Sequence, residues 1–160
     1  MTWFDIVAIL MIIVIAWLES IRGFGRALFD LIGALIVTKI AIMLSGALGA
    51  AAPVSQAAGP AQAFWMGIVF VVLAVLVVIA AKYVYESTLL SLDVLDPVVG
   101  AIFGIFSGML VAHIFLRMLE VAYAETDLAN VVVNSFMGQE LLRLRSYHAV
   151  VNALQNISNW

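Results

Sequence analysis

The chain has 160 residues, of which 66% are hydrophobic and only 11% are charged. Soluble domains carry about 45–50% apolar and about 25% charged residues, so the composition excludes a water-soluble fold and indicates an integral membrane protein. The net charge of −3, with Lys and Arg scattered along the chain, argues against nucleic-acid binding, and a sequence without cysteine has no disulfides or thiolate metal sites.

The first apolar run covers residues 6–18, with Asp5 before it and Glu19, Arg22 and Arg26 after it. A cleaved signal peptide carries positive charges in front and a small-residue cleavage site behind, so this pattern predicts a retained transmembrane helix instead. Because loops rich in Lys and Arg stay cytoplasmic, we expect Arg22 and Arg26 to anchor the following loop at anionic headgroups, with the N-terminus outside.

Gly23 and Gly25 predict a break in the helix, and a second helix is expected from about Ala27. Asp30 would then lie in its first turn, where the helix dipole favours an anion. Small residues recur along one face of this helix and predict a surface on which another helix packs. These residues are Ala34, Thr38, Ala41 and Ser45.

Lys39 is the costly residue of the second helix, because a lysine near the bilayer centre costs about 2.5–3.5 kcal/mol on insertion scales. At about 1.5 Å per residue, Lys39 and Asp5 lie at similar distances from the loop that joins the first two helices. We therefore predict that the two residues pair or lie close together, which makes them a candidate for a buried ion pair. The alternative is that Lys39 extends its ammonium group to the outer headgroups.

Residues 45–62 carry no charge and are rich in Gly, Ala, Pro and Ser, which predicts a loop on the outer side, either extramembrane or re-entrant. Residues 63–81 are also uncharged and predict the third span. Trp65 at one end and two tyrosines beyond the other mark the two headgroup levels. A short acidic inner loop is expected over residues 86–96.

The fourth span is predicted from Asp96 to about Leu116, with Asp96 as the N-cap and Pro97 at the first helical position. Glycines recur here every four residues and form one stripe that lets another backbone approach closely. They are Gly100, Gly104 and Gly108. The small-residue face of the second helix is a candidate to receive this stripe, and the alternative is that its small residues serve ordinary helix packing. A leucine at position 104 would abolish association or destabilise the protein.

The remainder of the chain, residues 119–160, is predicted as a tail separate from a transmembrane domain of residues 1–118. Between Leu144 and Leu154, apolar and polar side chains occupy opposite arcs at 100° per residue, which predicts an amphipathic helix. Such a helix either lies in the headgroup plane or packs across neighbouring helices. With four spans, the N-terminus and this tail would both be periplasmic.

No catalytic, cofactor-binding or metal-binding constellation is assigned from the sequence, and we expect no enzyme. His113 and His148 have no second ligand at metal-binding spacing, and Ser107 lies in a segment without the spacing of a nucleophile elbow. His113, Arg117 and Glu120 share one helix face. They predict a salt-bridged helix end or, alternatively, a proton-linked or ligand-sensing cluster.

Short motifs follow one another in a fixed order over about the first 118 residues: Trp3-Phe4-Asp5-Ile6, Arg22-Gly23-Phe24-Gly25-Arg26, and Asp96 with Gly100, Phe103-Gly104 and Gly108-Met109-Leu110. In this order and spacing the chain resembles the CvpA family, the colicin V production proteins, which are small bacterial inner-membrane proteins. The resemblance implies about four membrane helices and a role in toxin export or envelope processes, with no agreed biochemical activity.

The chain departs from the CvpA pattern at three positions. Ala27, Pro97 and Ser107 stand where members of the family commonly carry charged residues. If those charges serve the family's activity, we expect this chain to lack it.

Together these patterns predict an all-α protein with about four transmembrane helices and no cofactor. We expect a non-enzymatic assembly or accessory factor that associates with other membrane-protein subunits or with itself. The alternatives are a small subunit of a large energy-converting complex, or an oligomeric channel or transporter with a polar path through the membrane. The residues that would line such a path are Thr38, Lys39, Ser45, Ser107 and His113.

Overall fold

The computed structural model describes residues 2–88, 95–124 and 126–143, and within them it is helical and contains no strand. The helices are α1 (Trp3–Arg22), α2 (Phe24–Ala51), α3 (Ala58–Thr88), α4 (Asp96–Ala122), α5 (Asp127–Val133) and α6 (Phe136–Arg143). The first four are each long and apolar enough to cross a membrane. The predicted all-α, multi-pass membrane architecture is therefore confirmed.

Gly23 alone makes the turn between α1 and α2. Its φ of 84° lies in the left-handed region, which glycine adopts without steric cost. Gly25 is an ordinary helical residue, so α2 begins at Phe24 rather than near Ala27. Asp30 consequently lies in the second turn of α2, beyond the first-turn position in which it was expected.

The segment between α2 and α3 is much shorter than the sequence predicted. α2 continues to Ala51 and α3 begins at Ala58, so most of the predicted loop over residues 45–62 is helical and only residues 52–57 connect the two helices. The extent of the predicted loop was therefore wrong. Its alanines are strong helix formers, and Gly49 packs against the backbone of Gln62 instead of breaking the helix.

α4 lies at the centre of the structure, and α1, α2 and α3 all pack against it. α1 and α2 contact each other far less than each contacts α4, because they diverge from their shared turn at Gly23. This divergence leaves a face of α4 open between them. We call the side of the molecule that carries this turn the Gly23 end, and the opposite side the α6 end.

The glycine stripe of α4 lies directly on the backbone of α1. Gly100, Gly104 and Gly108 face, in that order, Glu19, Ala16 and Ile12. A Cβ atom added to Gly104 would lie 2.6 Å from Cα of Ala16, and one added to Gly108 would lie 2.8 Å from Cα of Ile12. Such distances are too short for a side chain, so the two helices approach this closely only because α4 carries glycine at these positions.

The small-residue face of α2 does not receive the glycine stripe, and that prediction was wrong. Ala41 packs with Met66 of α3 and Ile114 of α4 in one buried cluster. Thr38 and Ser45 are also buried, and Ala34 is half-buried. The reason is that α3 follows α2 directly and lies along it, so its larger side chains fill this face.

α3 runs antiparallel to α2, with Val77 against Gly33. This register places Trp65 near the level of Ser45, towards the α6 end. Trp65 and Tyr83 are 18 residues apart on α3, which corresponds to about 27 Å along the helix axis. The two aromatic residues are therefore separated by nearly the thickness of a hydrocarbon core of about 30 Å, as expected for the two aromatic belts of a membrane protein.

α1 is the shortest of the four long helices, with 20 residues against 27 for α4. Phe4 stacks on Phe115 with ring centroids 6.2 Å apart, so α1 begins well below the end of α4. α5 and α6 fill the space that the shorter helix leaves. Val132 and Leu141 join Phe4 and Leu116 in one buried apolar cluster.

The predicted boundary between residues 1–118 and a tail of residues 119–160 does not coincide with an end of a helix, because α4 continues to Ala122. As far as residue 143, the predicted tail packs on the core of the transmembrane helices. The amphipathic helix predicted between Leu144 and Leu154 lies outside the described residues, as does most of the predicted acidic loop over residues 86–96.

Candidate functional site

Asp96 caps a helix other than its own. Its Oδ1 accepts a hydrogen bond of 2.9 Å from the backbone N–H of Phe24, at the start of α2. The N-cap residue of α4 is Leu95, so the prediction that Asp96 caps α4 was wrong. A Cβ atom on Gly23 would collide with the Asp96 carboxylate, and the glycine thereby permits this close approach.

Arg22 links α1 to α2 at the Gly23 end. Its Nη1 donates to Oε1 of Glu19 at 2.7 Å and to Oδ2 of Asp30 at 3.3 Å. Both carboxylates are buried, with exposed fractions of 4% and 7%. Arg22 therefore stabilises the turn, and its predicted role as a membrane-surface anchor stays a prediction, as does that of the half-buried Arg26.

Asp5 caps two helices at the α6 end. Its Oδ2 accepts hydrogen bonds from the backbone N–H and the hydroxyl of Thr2, at 2.7 and 3.2 Å. Its Oδ1 accepts a hydrogen bond of 2.8 Å from the backbone N–H of Met137, in the first turn of α6. One buried carboxylate thus joins the start of α1 to the start of α6.

The predicted ion pair between Asp5 and Lys39 does not form. Within the described residues, no ion pair includes Lys39. Similar depth does not bring the two side chains together, because α1 and α2 diverge from Gly23. The oxygens of Asp5 are instead occupied by backbone donors at two helix starts.

Lys39 lies in a lateral cleft of about 640 Å³ between α2 and α4, with α6 across one end. We call it the Lys39 cleft. Among the residues that the structure describes, its polar lining consists of Thr38, Lys39 and His113. The apolar lining comes from three helices and includes Leu31, Leu35, Phe106, Met109, Leu141 and Leu142.

The polar groups of the Lys39 cleft have few partners inside the protein. Nδ1 of His113 lies 3.1 Å from the carbonyl oxygen of Leu141 and, because a carbonyl only accepts, Nδ1 carries the proton of this bond. The hydroxyl of Thr38 is buried and has no hydrogen-bond partner among the described residues. The side chain of Lys39 is exposed in the cleft.

The five residues predicted to line a polar path do not come together. Thr38, Lys39 and His113 share the Lys39 cleft, whereas Ser45 donates its hydroxyl to a carbonyl of its own helix at 2.9 Å. Ser107 is buried outside the cleft lining. In the part of the chain that the structure describes, these groups form a local polar patch rather than a path across the membrane.

The predicted cluster of His113, Arg117 and Glu120 is divided in the structure. Arg117 pairs with Glu120 at 2.8 Å, and both side chains are partly exposed. His113 bonds to α6 instead. The sequence gives no signal for this bond, because its acceptor, Leu141, lies 28 residues further along the chain in a short helix that was not predicted.

A second groove lies between α1 and α3, with α4 as its floor. It measures about 450 Å³, and within the described part of the chain its lining consists of apolar residues and Gly67. We call it the α1–α3 groove. Its walls and floor include Met11 of α1, Phe64, Ile68 and Val71 of α3, and Phe115 and Met118 of α4.

No group of three or more His, Asp or Glu side chains that could hold a metal ion is found among the described residues. The chain matches no protein-family model, no curated protein and no solved structure. The resemblance to the CvpA family therefore stays a prediction from the sequence.

Proposed function

We propose that the protein is a non-enzymatic accessory or assembly subunit of a bacterial inner-membrane complex, of the kind that its resemblance to the CvpA family implies. In this proposal the Gly23 end faces the cytoplasm, and the N-terminus and α6 face the periplasm. Arg22 and Arg26 at the Gly23 end support this orientation, because basic loops stay on the cytoplasmic side.

The observation that carries the proposal is the α1–α3 groove. In a bilayer, helices associate through close van der Waals packing rather than through the hydrophobic effect, so a groove between two spans is a favourable site for a third. Phe64 and Phe115 offer flat ring surfaces. Met11 and Met118 are flexible and adapt to the side chains of a partner. These properties suit an apolar transmembrane helix of another subunit.

The glycine stripe is not available to a partner helix. Because Gly104 and its neighbours hold α4 against α1, the stripe is covered inside the chain. A partner helix therefore has to use another surface. The α1–α3 groove is lined by three spans and leaves Phe64 and Val71 exposed, so it offers an apolar contact surface for such a helix.

Two adjacent valines of α3 provide a matched test. Val71 lines the groove and Val72 does not, while both are exposed and lie at nearly the same depth. We expect Val71→Trp to fill the groove and release the chain from its assembly in mild detergent, as measured by native mass spectrometry of gently solubilised membranes. Val72→Trp should leave the assembly intact.

Both tryptophan variants must show the melting temperature of the wild-type chain, which ensures that a lost assembly reflects docking and not misfolding. An assembly that survives Val71→Trp would contradict the proposal. A wild-type chain that is always extracted alone would contradict it equally.

The proposed orientation has its own test, since the natural sequence has no cysteine. Gln56 lies in the segment between α2 and α3, and Glu86 lies near the other end of α3. We expect Gln56→Cys to react with a membrane-impermeant thiol reagent in cells with a permeable outer membrane, and Glu86→Cys to react only after lysis. The reverse pattern would invert the topology.

A further inference from the structure

The Lys39 cleft has a shape and polarity that the proposed docking of a partner helix does not use. We propose that it binds a long-chain carboxylate, the anion of a fatty acid, with the carboxylate on Lys39 and the acyl chain along α2 and α4. This site is independent of the α1–α3 groove, which lies on another side of α4.

The dimensions of the cleft suit a single acyl chain. Its volume of about 640 Å³ falls in the range of about 300–1,000 Å³ that small-molecule sites occupy. On α2 the lining extends from Leu31 to Ile42, which is about 17 Å along the axis. α6 lies across one end of the cleft and obstructs a helix that would continue along α2. An acyl chain that enters the cleft from the side and ends within it fits this shape better than a transmembrane helix does.

The polar groups are gathered at one end of the cleft. Lys39, the adjacent Thr38 and His113 all lie towards α6, whereas Leu31 and Leu35 extend away from them along α2. Inside the protein, Lys39 has no carboxylate partner and the Thr38 hydroxyl has no hydrogen-bond partner, within the residues described. A carboxylate in the cleft accepts a hydrogen bond from the exposed ammonium group of Lys39 and neutralises this intramembrane cation.

The depth of Lys39 in the membrane favours a fatty acid over a phospholipid as the ligand. The backbone of Trp65 lies near the level of Ser45, and its indole donates to the carbonyl oxygen of Ala52 at 2.7 Å. Lys39 therefore lies at least about 9 Å deeper than this tryptophan. A compact carboxylate reaches this depth, whereas the larger phosphate headgroups remain at the tryptophan level. From Lys39 the apolar lining continues along α2 past Leu35 to Leu31, and the acyl chain would follow it.

The first experiment measures binding of palmitate to the purified full chain in phosphatidylcholine nanodiscs. We expect one palmitate per chain, and Lys39→Met should weaken binding by at least about tenfold, the usual effect of removing one charged hydrogen bond. Lys82→Met is the matched control, because Lys82 is exposed and pairs with Glu86 on α3. Its affinity for palmitate should equal that of the wild type.

The second experiment tests the acyl chain's path with another adjacent pair. Leu35 lines the cleft and Ile36 does not, although 53% and 55% of their surfaces are exposed. We expect Leu35→Trp to abolish palmitate binding and Ile36→Trp to retain it. Melting temperatures of both variants equal to that of the wild type show that the fold is intact.

Competition experiments establish the chemistry of the headgroup. Hexadecanol has the same chain without the charge and should compete at least about tenfold more weakly than palmitate. Phosphatidylglycerol should also compete more weakly than palmitate. The proposal is overturned if Lys39→Met binds palmitate as the wild type does, if hexadecanol competes as well as palmitate, or if phosphatidylglycerol is the better competitor.

Discussion

The carboxylate of Asp96 accepts a hydrogen bond from the backbone N–H of Phe24, across 72 positions of sequence. The start of α4 thereby holds the start of α2. Asp5 has the same role at the other end of the molecule, where it binds the backbone N–H of Met137, 132 positions away. Two acidic side chains of the transmembrane segments thus cap helices that are distant in sequence.

The Asp96 cap predicts a measurable loss of stability. Asp96→Ala removes the acceptor for the Phe24 N–H and should lower the free energy of unfolding by about 1 kcal/mol, the usual value of a helix N-cap. Asp96→Asn keeps a side-chain oxygen and should lose less. Glu86→Ala is the control, because it removes only an exposed pair with Lys82 worth about 0.3–0.5 kcal/mol. Denaturation in detergent measures all three, and equal stability of Asp96→Ala and the wild type would exclude the cap.

Two glycines predict opposite effects of the same substitution. At Gly104 a methyl group would press into the backbone of α1 near Ala16, so Gly104→Ala should destabilise the protein by about 1–3 kcal/mol. At Gly46 the added Cβ would meet only the side-chain amide of Gln62, at 3.9 Å. Gly46→Ala should therefore stabilise the helix by up to about 1 kcal/mol. Thermal unfolding of the two variants measures the contrast, and a shift in the same direction for both would contradict the close contact of α1 and α4.

Arg22 predicts a large effect because its two partners are buried. Arg22→Met leaves the carboxylates of Glu19 and Asp30 without their shared donor, and the loss should approach about 3 kcal/mol, the lower range for a broken buried pair. Adding Asp30→Asn should restore part of it by removing one charge. Arg117→Met is the control, since its pair with Glu120 is more exposed and worth about 1 kcal/mol or less. Equal losses for Arg22→Met and Arg117→Met would show that the burial of the first pair has no energetic consequence.

Asp5 predicts a local change in α6. Asp5→Ala removes the acceptor for the Met137 N–H, and amide hydrogen exchange over residues 136–143 should accelerate while exchange in α2 stays unchanged. Because Asp5 and Lys39 do not pair, the stability effects of Asp5→Ala and Lys39→Met should add within about 0.5 kcal/mol in the double variant. A coupling energy above that value would indicate an ion pair after all.

The features that local sequence determines were predictable. Length and hydropathy identify four spans. Gly23 indicates the first turn because glycine adopts a positive φ without steric cost, a property of the residue itself. The stripe that contains Gly104 indicates a close helix contact by its spacing alone. The end of α2 and the start of α3 were not predicted correctly. Alanine-rich sequence near prolines is compatible with a helix as well as with a loop.

The choice of partners was not predictable from the sequence. Nothing local to Gly104 distinguishes α1 from α2 as its neighbour, because both helices carry small residues at helical spacing. The pairing of Asp5 with Lys39 was predicted from their similar depth alone. Similar depth does not determine the direction in which each side chain points from its helix. The Lys39 cleft was missed for the same reason, since α6 and its Leu141 close it only after the chain has folded back.

The contact between α1 and α4 also orders the biogenesis of the protein. Ribosomes deliver the chain from its N-terminus, so α1 enters the bilayer while the glycines that will cover Ile12 and Ala16 are still untranslated. Until α4 arrives, the earliest span has lipid where its main contact will be. Folding of α1 against its main partner therefore has to wait for the insertion of α4.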